Sequence, residues 1–82
     1  MVEPALDAGR LRQLAIEHCD QDPGELDPAD RLDAVGITGF DLLRLVAAIE
    51  DLYAVEFPTD LVTTFETVED LTYFTTVKAA SR

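Results

Sequence analysis

The sequence predicts an all-α domain built from three sizeable helices and one short one, and three observations carry that expectation. Apolar residues recur at helical spacing in three separate stretches, around residues 11–18, 42–53 and 68–77. Two of these stretches open on a threonine followed three residues later by an aspartate, Thr38 with Asp41 and Thr67 with Asp70. Between the stretches lie the helix breakers Pro23, Gly24, Pro28, Gly36 and Pro58.

The first helix is expected from Pro4 to His18, with Leu11, Leu14, Ala15 and His18 on its apolar face and Arg10, Arg12, Gln13 and Glu17 elsewhere. Pro4 suits a first-turn position, and Asp20, Asp22, Pro23 and Gly24 supply a stop. Residues 19–37 carry two prolines and two glycines and cannot hold a long helix, so they form a long loop pinned by Leu26, Leu32, Val35 and Ile37. Its carboxylates, set against Arg31 alone, read individually as solvated side chains.

Thr38 is the expected N-cap of the second helix, with Asp41 as its capping-box partner. The helix runs to about Tyr53. Leu42, Leu45, Val46, Ile49, Leu52 and Tyr53 make its core face, and Asp41, Arg44, Ala48 and Asp51 a narrow polar stripe. Phe40, Leu43 and Ala47 form an apolar stripe on the border between them, not fully buried, with Phe40 itself expected to fold inward. The second helix must end before Phe57, because Pro58 disfavours helix at the residue before it. Leu61–Phe65 then holds at most a short helical piece. The last helix is expected over Thr67–Val77, with Val68, Leu71, Phe74 and Val77 inward. Thr72, Thr75 and Thr76 make it depend on packing rather than propensity, and Ala79–Arg82 is expected to fray.

At 82 residues the chain is expected to form one domain, 1–82, burying only about 60% of its unfolded surface, too small for a two-domain nucleotide-binding enzyme. The longest wholly apolar run, Leu45–Ile49, is far short of a membrane span. The start, Met-Val-Glu-Pro, has no basic region of the signal-peptide kind, and the single cysteine, Cys19, suits a reducing compartment; a cytoplasmic location is expected. Seventeen acids against six bases give a net charge of −11, which disfavours nucleic acid and anionic membrane surfaces and favours a partner with a basic patch. An apolar content of 48% is too high for an acidic disordered tail. His18 and Cys19 are neighbours and point about 100° apart on a helix, so they make no nucleophile–base pair. No second histidine exists for a metal site, and no run matches a calcium-binding loop. Cys19 reads as a small buried filler. The chain is expected to be no enzyme, with no catalytic and no metal-binding residues.

The segment Ala29–Phe74 carries an ordered set of features: Leu32-Asp33-Ala34-Val35-Gly36-Ile37, then Thr38-Gly39-Phe40, then Leu42 to Tyr53, Glu56-Phe57-Pro58, and Thr67-Val68-Glu69-Asp70-Leu71. In that order, without a gap, it resembles the acyl carrier protein family. The resemblance implies an antiparallel four-helix bundle of the acyl carrier protein type, with a short third helix and a long loop between helices one and two. It also implies an attachment serine at the start of the second helix, esterified by 4′-phosphopantetheine.

At that serine's position this chain has Gly39, which offers no oxygen to esterify. Thr38 has a hydroxyl, but as N-cap it is expected to be tied to the backbone, and it lies one residue off; Ser81, the only serine, is in the tail. No phosphopantetheine is therefore expected unless position 39 is naturally serine. Either the protein is a carrier-shaped docking or regulatory subunit of a fatty-acid, polyketide or related biosynthetic system, or it is a genuine acyl or aminoacyl carrier whose serine was replaced by Gly39. The flanking departures, Thr38 for Asp and Phe40 for Leu, favour the first. Outside the family, the rival is an unrelated acidic helical adaptor.

The resemblance further implies that partner enzymes dock on the second helix. Phe40, Leu43 and Ala47 match apolar docking positions, and Glu50, Asp51 and Glu56 match acidic ones. Arg44 stands where the family commonly has an acid; either the reversal changes partner choice, or Arg44 is a surface i, i+3 partner of Asp41. The partners implied are biosynthetic enzymes with a basic docking patch, met by a monomer.

Self-repulsion at −11 also makes a prediction. Raising salt from about 0.01 M to about 0.15 M, which shortens the screening length from about 30 Å to about 8 Å, should raise the melting temperature followed by circular dichroism. An unchanged melting temperature would count against net repulsion as a significant destabilising load.

Overall fold

Four helices make up the computed structural model, which describes residues 5–80: α1 (Ala8–Cys19), α2 (Gly39–Tyr53), the short α3 (Thr59–Val62) and α4 (Val68–Ala80). Helices α1, α2 and α4 pack against one another pairwise. Their shared core is built from Leu11, Leu14, Leu45, Ile49, Val68 and Leu71, all fully buried. This is the expected all-α bundle. Among the described residues the extended backbone amounts to one isolated bridge, Arg31 with Thr67.

Helix α1 starts at Ala8 because Asp7 caps it, its Oδ1 accepting from the Arg10 N–H at 2.8 Å. Pro4 itself lies outside the described residues, but residues 5–7 are not helical, so the helix starts later than the expected first turn at Pro4. Leu11, Leu14 and Ala15 are buried as their spacing requires, but His18 is exposed and Cys19 takes its place in the core. The start of α2 approaches α1 from the Cys19 side, where the thiol donates to the Asp41 carbonyl oxygen at 3.2 Å. That contact corrects the expected face by one residue.

The loop of residues 20–38 is ordered by its own apolar side chains, as expected: Leu26, Leu32 and Ile37 are buried, and Val35 packs against the core from the side. Its path is also set by backbone bonds to the head of α4. Leu32 N–H donates to Glu66 O, Val68 N–H to Asp30 O and Glu69 N–H to Pro28 O, each at 2.9 Å. The last two satisfy N–H groups that every helix start leaves without an intrahelical acceptor. The expected capping box closes alongside them: the Asp70 N–H donates to Thr67 Oγ1 at 3.2 Å and the Thr67 N–H to Asp70 Oδ2 at 3.1 Å.

Helix α4 corrects the expected inner face and the expected end. Steps of three residues from Val68 through Leu71 and Phe74 to Val77 drift about 60° each, so Val77 emerges 45% exposed. The buried row is Val68, Leu71 and Thr75, with Ala79 half-buried beside it. Thr75 enters the core because its hydroxyl donates to the Leu71 carbonyl at 2.9 Å, leaving a methyl to face the apolar side chains. Ala79 and Ala80 are helical rather than frayed; Ser81 and Arg82 lie outside the described residues. Phe74 turns sideways into an aromatic cluster, 4.9 Å from Phe57 and 5.6 Å from Phe65 between ring centroids. The cluster ties the connections on both sides of α3 to α4, and each ring pair adds about 0.5–1.5 kcal/mol beyond the area it buries.

Across the outer face of α1, Arg12 grips Asp22 with two bonds of 2.9 and 3.0 Å. Asp22 also accepts from the Gly24 N–H at 2.9 Å, and the two interactions hold its pKa at about 2, below the ordinary 3.8. A depressed carboxylate pKa contributes stability above the unfolded value and loses it as pH falls through the folded one. Replacing Asp22 by Asn should therefore flatten the fall in urea midpoint between about pH 4 and about pH 2 relative to the parent chain. An identical pH profile for the two proteins would refute the pairing's contribution.

Candidate functional site

The start of α2 and its outward face bring the candidate residues together. Gly39 is the first helical residue and is exposed, with the long loop packed beside it, the placement required of a carrier-type attachment position. Three contacts hold this end of the helix. Ile37 is fully buried, and its N–H donates to Leu32 O at 2.9 Å, closing the turn in which Gly36 takes a φ of +84°. Gln21 then bridges loop and helix, its Nε2 donating to Gly36 O at 3.0 Å and to Asp41 Oδ2 at 3.1 Å. Nothing in the spacing of the sequence marks Gln21 for this role; its one signal is an amide in an otherwise acidic stretch.

This bridge changes the expected cap. Thr38 is the N-cap by backbone geometry, but its hydroxyl makes no capping hydrogen bond: the Asp41 N–H donates to the Thr38 carbonyl at 3.1 Å instead, and the Asp41 carboxylate that would have closed the box is drawn to Gln21 and towards Arg44, 3.8 Å away. The Thr38 hydroxyl, expected to be tied to the backbone, is therefore not held in that way, although it remains one residue away from position 39.

Gly39 itself has a φ of +57°. The Thr38 carbonyl accepts from the Asp41 N–H at 3.1 Å, so the first turn of α2 closes with Gly39 in the positive-φ region that favours glycine. A Cβ added there would meet no neighbouring atom within 4 Å, so the obstacle to a side chain is the backbone conformation and not space. Arg31, Asp33, Leu42, Phe65 and Glu66 line a small open cleft of about 270 Å³ beside Gly39. The residues present do not fit a covalent phosphopantetheine at position 39: no oxygen is available, and the backbone is one that serine rarely adopts.

Phe40 lies nine residues, about 180° of helix, from the buried Ile49 and is 80% exposed, which corrects the expectation that it folds inward. Leu43 is 49% exposed, and Arg44, Ala47 and Asp51 are exposed on the same side of α2. Leu52, expected in the core, is exposed at its margin. Glu50 is half-buried and occupied internally, its Oε2 accepting from the Phe57 N–H at 2.8 Å, while Glu56 just beyond the helix is exposed. Among the described residues no group of His, Cys, Asp and Glu could hold a metal ion, and no helix is long and apolar enough to cross a membrane.

The phosphopantetheine attachment site family model matches residues 9–74. The acyl carrier protein of Caulobacter vibrioides (strain NA1000 / CB15N) is 36% identical over 72 residues, covering 87% of this chain and 92% of the relative. That of Phenylobacterium zucineum is 35% identical, covering 79% and 84%, and that of Zymomonas mobilis 34%, covering 77% and 82%. No solved structure is a significant match.

Because Gly39 has a positive φ, Gly39→Ala should lower stability in urea by about 1 kcal/mol although the added methyl touches nothing. A neutral or stabilising result would mean that the turn relaxes to an ordinary helix start at no cost.

Proposed function

The chain belongs to the phosphopantetheine-attachment family of carrier domains, which are carriers rather than catalysts, and on that premise we propose that it is a carrier-shaped docking or regulatory subunit that does not bear the arm itself. The observation that carries this reading is Gly39: exposed at the start of α2, without a hydroxyl, and in a backbone conformation suited to glycine. The departures at Thr38 and Phe40 support it, since neither would be needed merely to remove a serine. Family membership sets aside the unrelated adaptor. The system served is a cytoplasmic fatty-acid, polyketide or related pathway, and the partners are biosynthetic enzymes whose docking site includes basic groups, met by a monomer through Phe40, Leu43, Arg44, Ala47, Asp51 and Glu56. Glu50 belongs to this set by family position, but its bond to Phe57 gives it a structural duty first.

The other reading, a carrier whose serine was replaced, draws its support from the ungapped register around position 39 and makes a different prediction. The unaltered chain, Gly39→Ser and the Caulobacter acyl carrier protein would each be incubated with coenzyme A and a broad-specificity phosphopantetheinyl transferase, and their intact masses measured. The docking reading expects no gain on the unaltered chain and slow, incomplete gain on Gly39→Ser. Loading of Gly39→Ser as fast as the control would favour the replaced-serine reading. A gain on the unaltered chain would overturn the docking-only reading, with the exposed Thr38 the first residue to map.

A further inference from the structure

The charges on the outward face of α2 do not follow the needs of the helix. Asp51 lies in the last turn, where the macrodipole disfavours an acid, and among the described residues its carboxylate makes no hydrogen bond or ion pair. Arg44 lies in the half nearer the helix start, its side chain 63% exposed, with Asp41 as its neighbour at 3.8 Å. Yet Asp41 is also held by Gln21 and Glu50 by the Phe57 N–H. Two of the acids on α2 are thus spent inside the fold, and what the helix presents is different from its composition.

Around the helix axis Phe40, Arg44, Ala47 and Asp51 fall within about 60° of one another, with Leu43 at the edge. Along the axis Arg44 and Asp51 are about 10 Å apart, with Ala47 between them. Glu56 is a further exposed acid just beyond the helix end. The face is therefore bipolar: an aromatic knob and a cation towards the start, a small apolar waist, and acids towards the end. A uniformly basic site would repel Arg44, and a uniformly acidic one would repel Asp51 and Glu56.

We propose that the partner of this face is a protein surface with an apolar pocket for Phe40 and Leu43, a carboxylate opposite Arg44, and a basic group opposite Asp51 and Glu56. The inference rests on the docking reading given above and adds the partner's charge order to it. Phe40 supplies the anchor, as exposed aromatics at interfaces do, and the opposed charges set direction, since a partner laid on in reverse would meet like charge at both ends.

The test uses a displayed library of a small helical scaffold, randomised among apolar residues, Glu and Lys, and panned against the full chain. A chain of charge −11 enriches lysine everywhere by default, so a glutamate that survives opposite Arg44 is informative. The expected binders are weakened by Phe40→Ala and carry Glu at one end and Lys at the other. Arg44→Glu should weaken them about tenfold, with recovery when the binder's Glu is exchanged for Lys, and Asp51→Lys should act in the opposite sense. These side chains are exposed, and unchanged helical circular dichroism of each variant confirms that the fold is intact. Binders that need Phe40 but carry only Lys and ignore Arg44→Glu would overturn the bipolar inference and leave the docking reading standing. Binders indifferent to Phe40→Ala and Leu43→Ala, or no binders, would overturn both.

Discussion

Backbone hydrogen bonds between the long loop and the head of α4 are the constraint on which the remaining arrangement depends. An 82-residue chain with a modest core has little apolar area with which to order a loop of this length. Pairing residues 28–32 with 66–69 gives that loop acceptors and donors it would otherwise lack, and supplies the N–H groups of α4 with partners at the same time. Each bond adds only about 0.5–1.5 kcal/mol, but together they place Leu32 and Ile37 in the core. Once Ile37 is seated, the chain can reach the start of α2 only from one side, and Gln21 holds it there.

Much of this was legible in the sequence because helical periodicity is a strong signal. The three long helices, the loop with its apolar pins, the buried Cys19 and the capping box at Thr67 and Asp70 all follow from spacing and residue type. The misreadings have geometric causes. His18 has the right angular position on α1, but the neighbouring helix arrives from the Cys19 side, and nothing in the α1 sequence records that approach. Counting forward in threes along α4 walks off the buried face, whereas Thr75, a polar residue, stays on it by returning its hydroxyl to the preceding turn.

The site was legible in position but not in conformation. Gly39 stands at the start of α2, and Phe40, Leu43 and Ala47 are exposed along one side of it, where the ordered spacing puts them. The exposure of Phe40 is encoded in its angle to Ile49, half a turn away from the buried side of α2. The diversion of Asp41 and Glu50 into internal bonds was not available, because it depends on Gln21 and on the Phe57 backbone, far away in sequence. A list of acids on a helix overstates the charge that the helix shows to a partner.

The contact between Cys19 and the first turn of α2 has a use of its own. The thiol is buried, and burial followed by the negative charge of Asp41 pushes its pKa above the ordinary value, so the nucleophilic thiolate is scarce in the closed state. With 6% of the residue exposed, a reagent gains full access to it when the seam between α1 and the head of α2 parts. Being the chain's sole cysteine, it is a native clock: the rate at which a thiol reagent consumes it counts how often the end of the helix that bears Gly39 breathes away from the body of the protein.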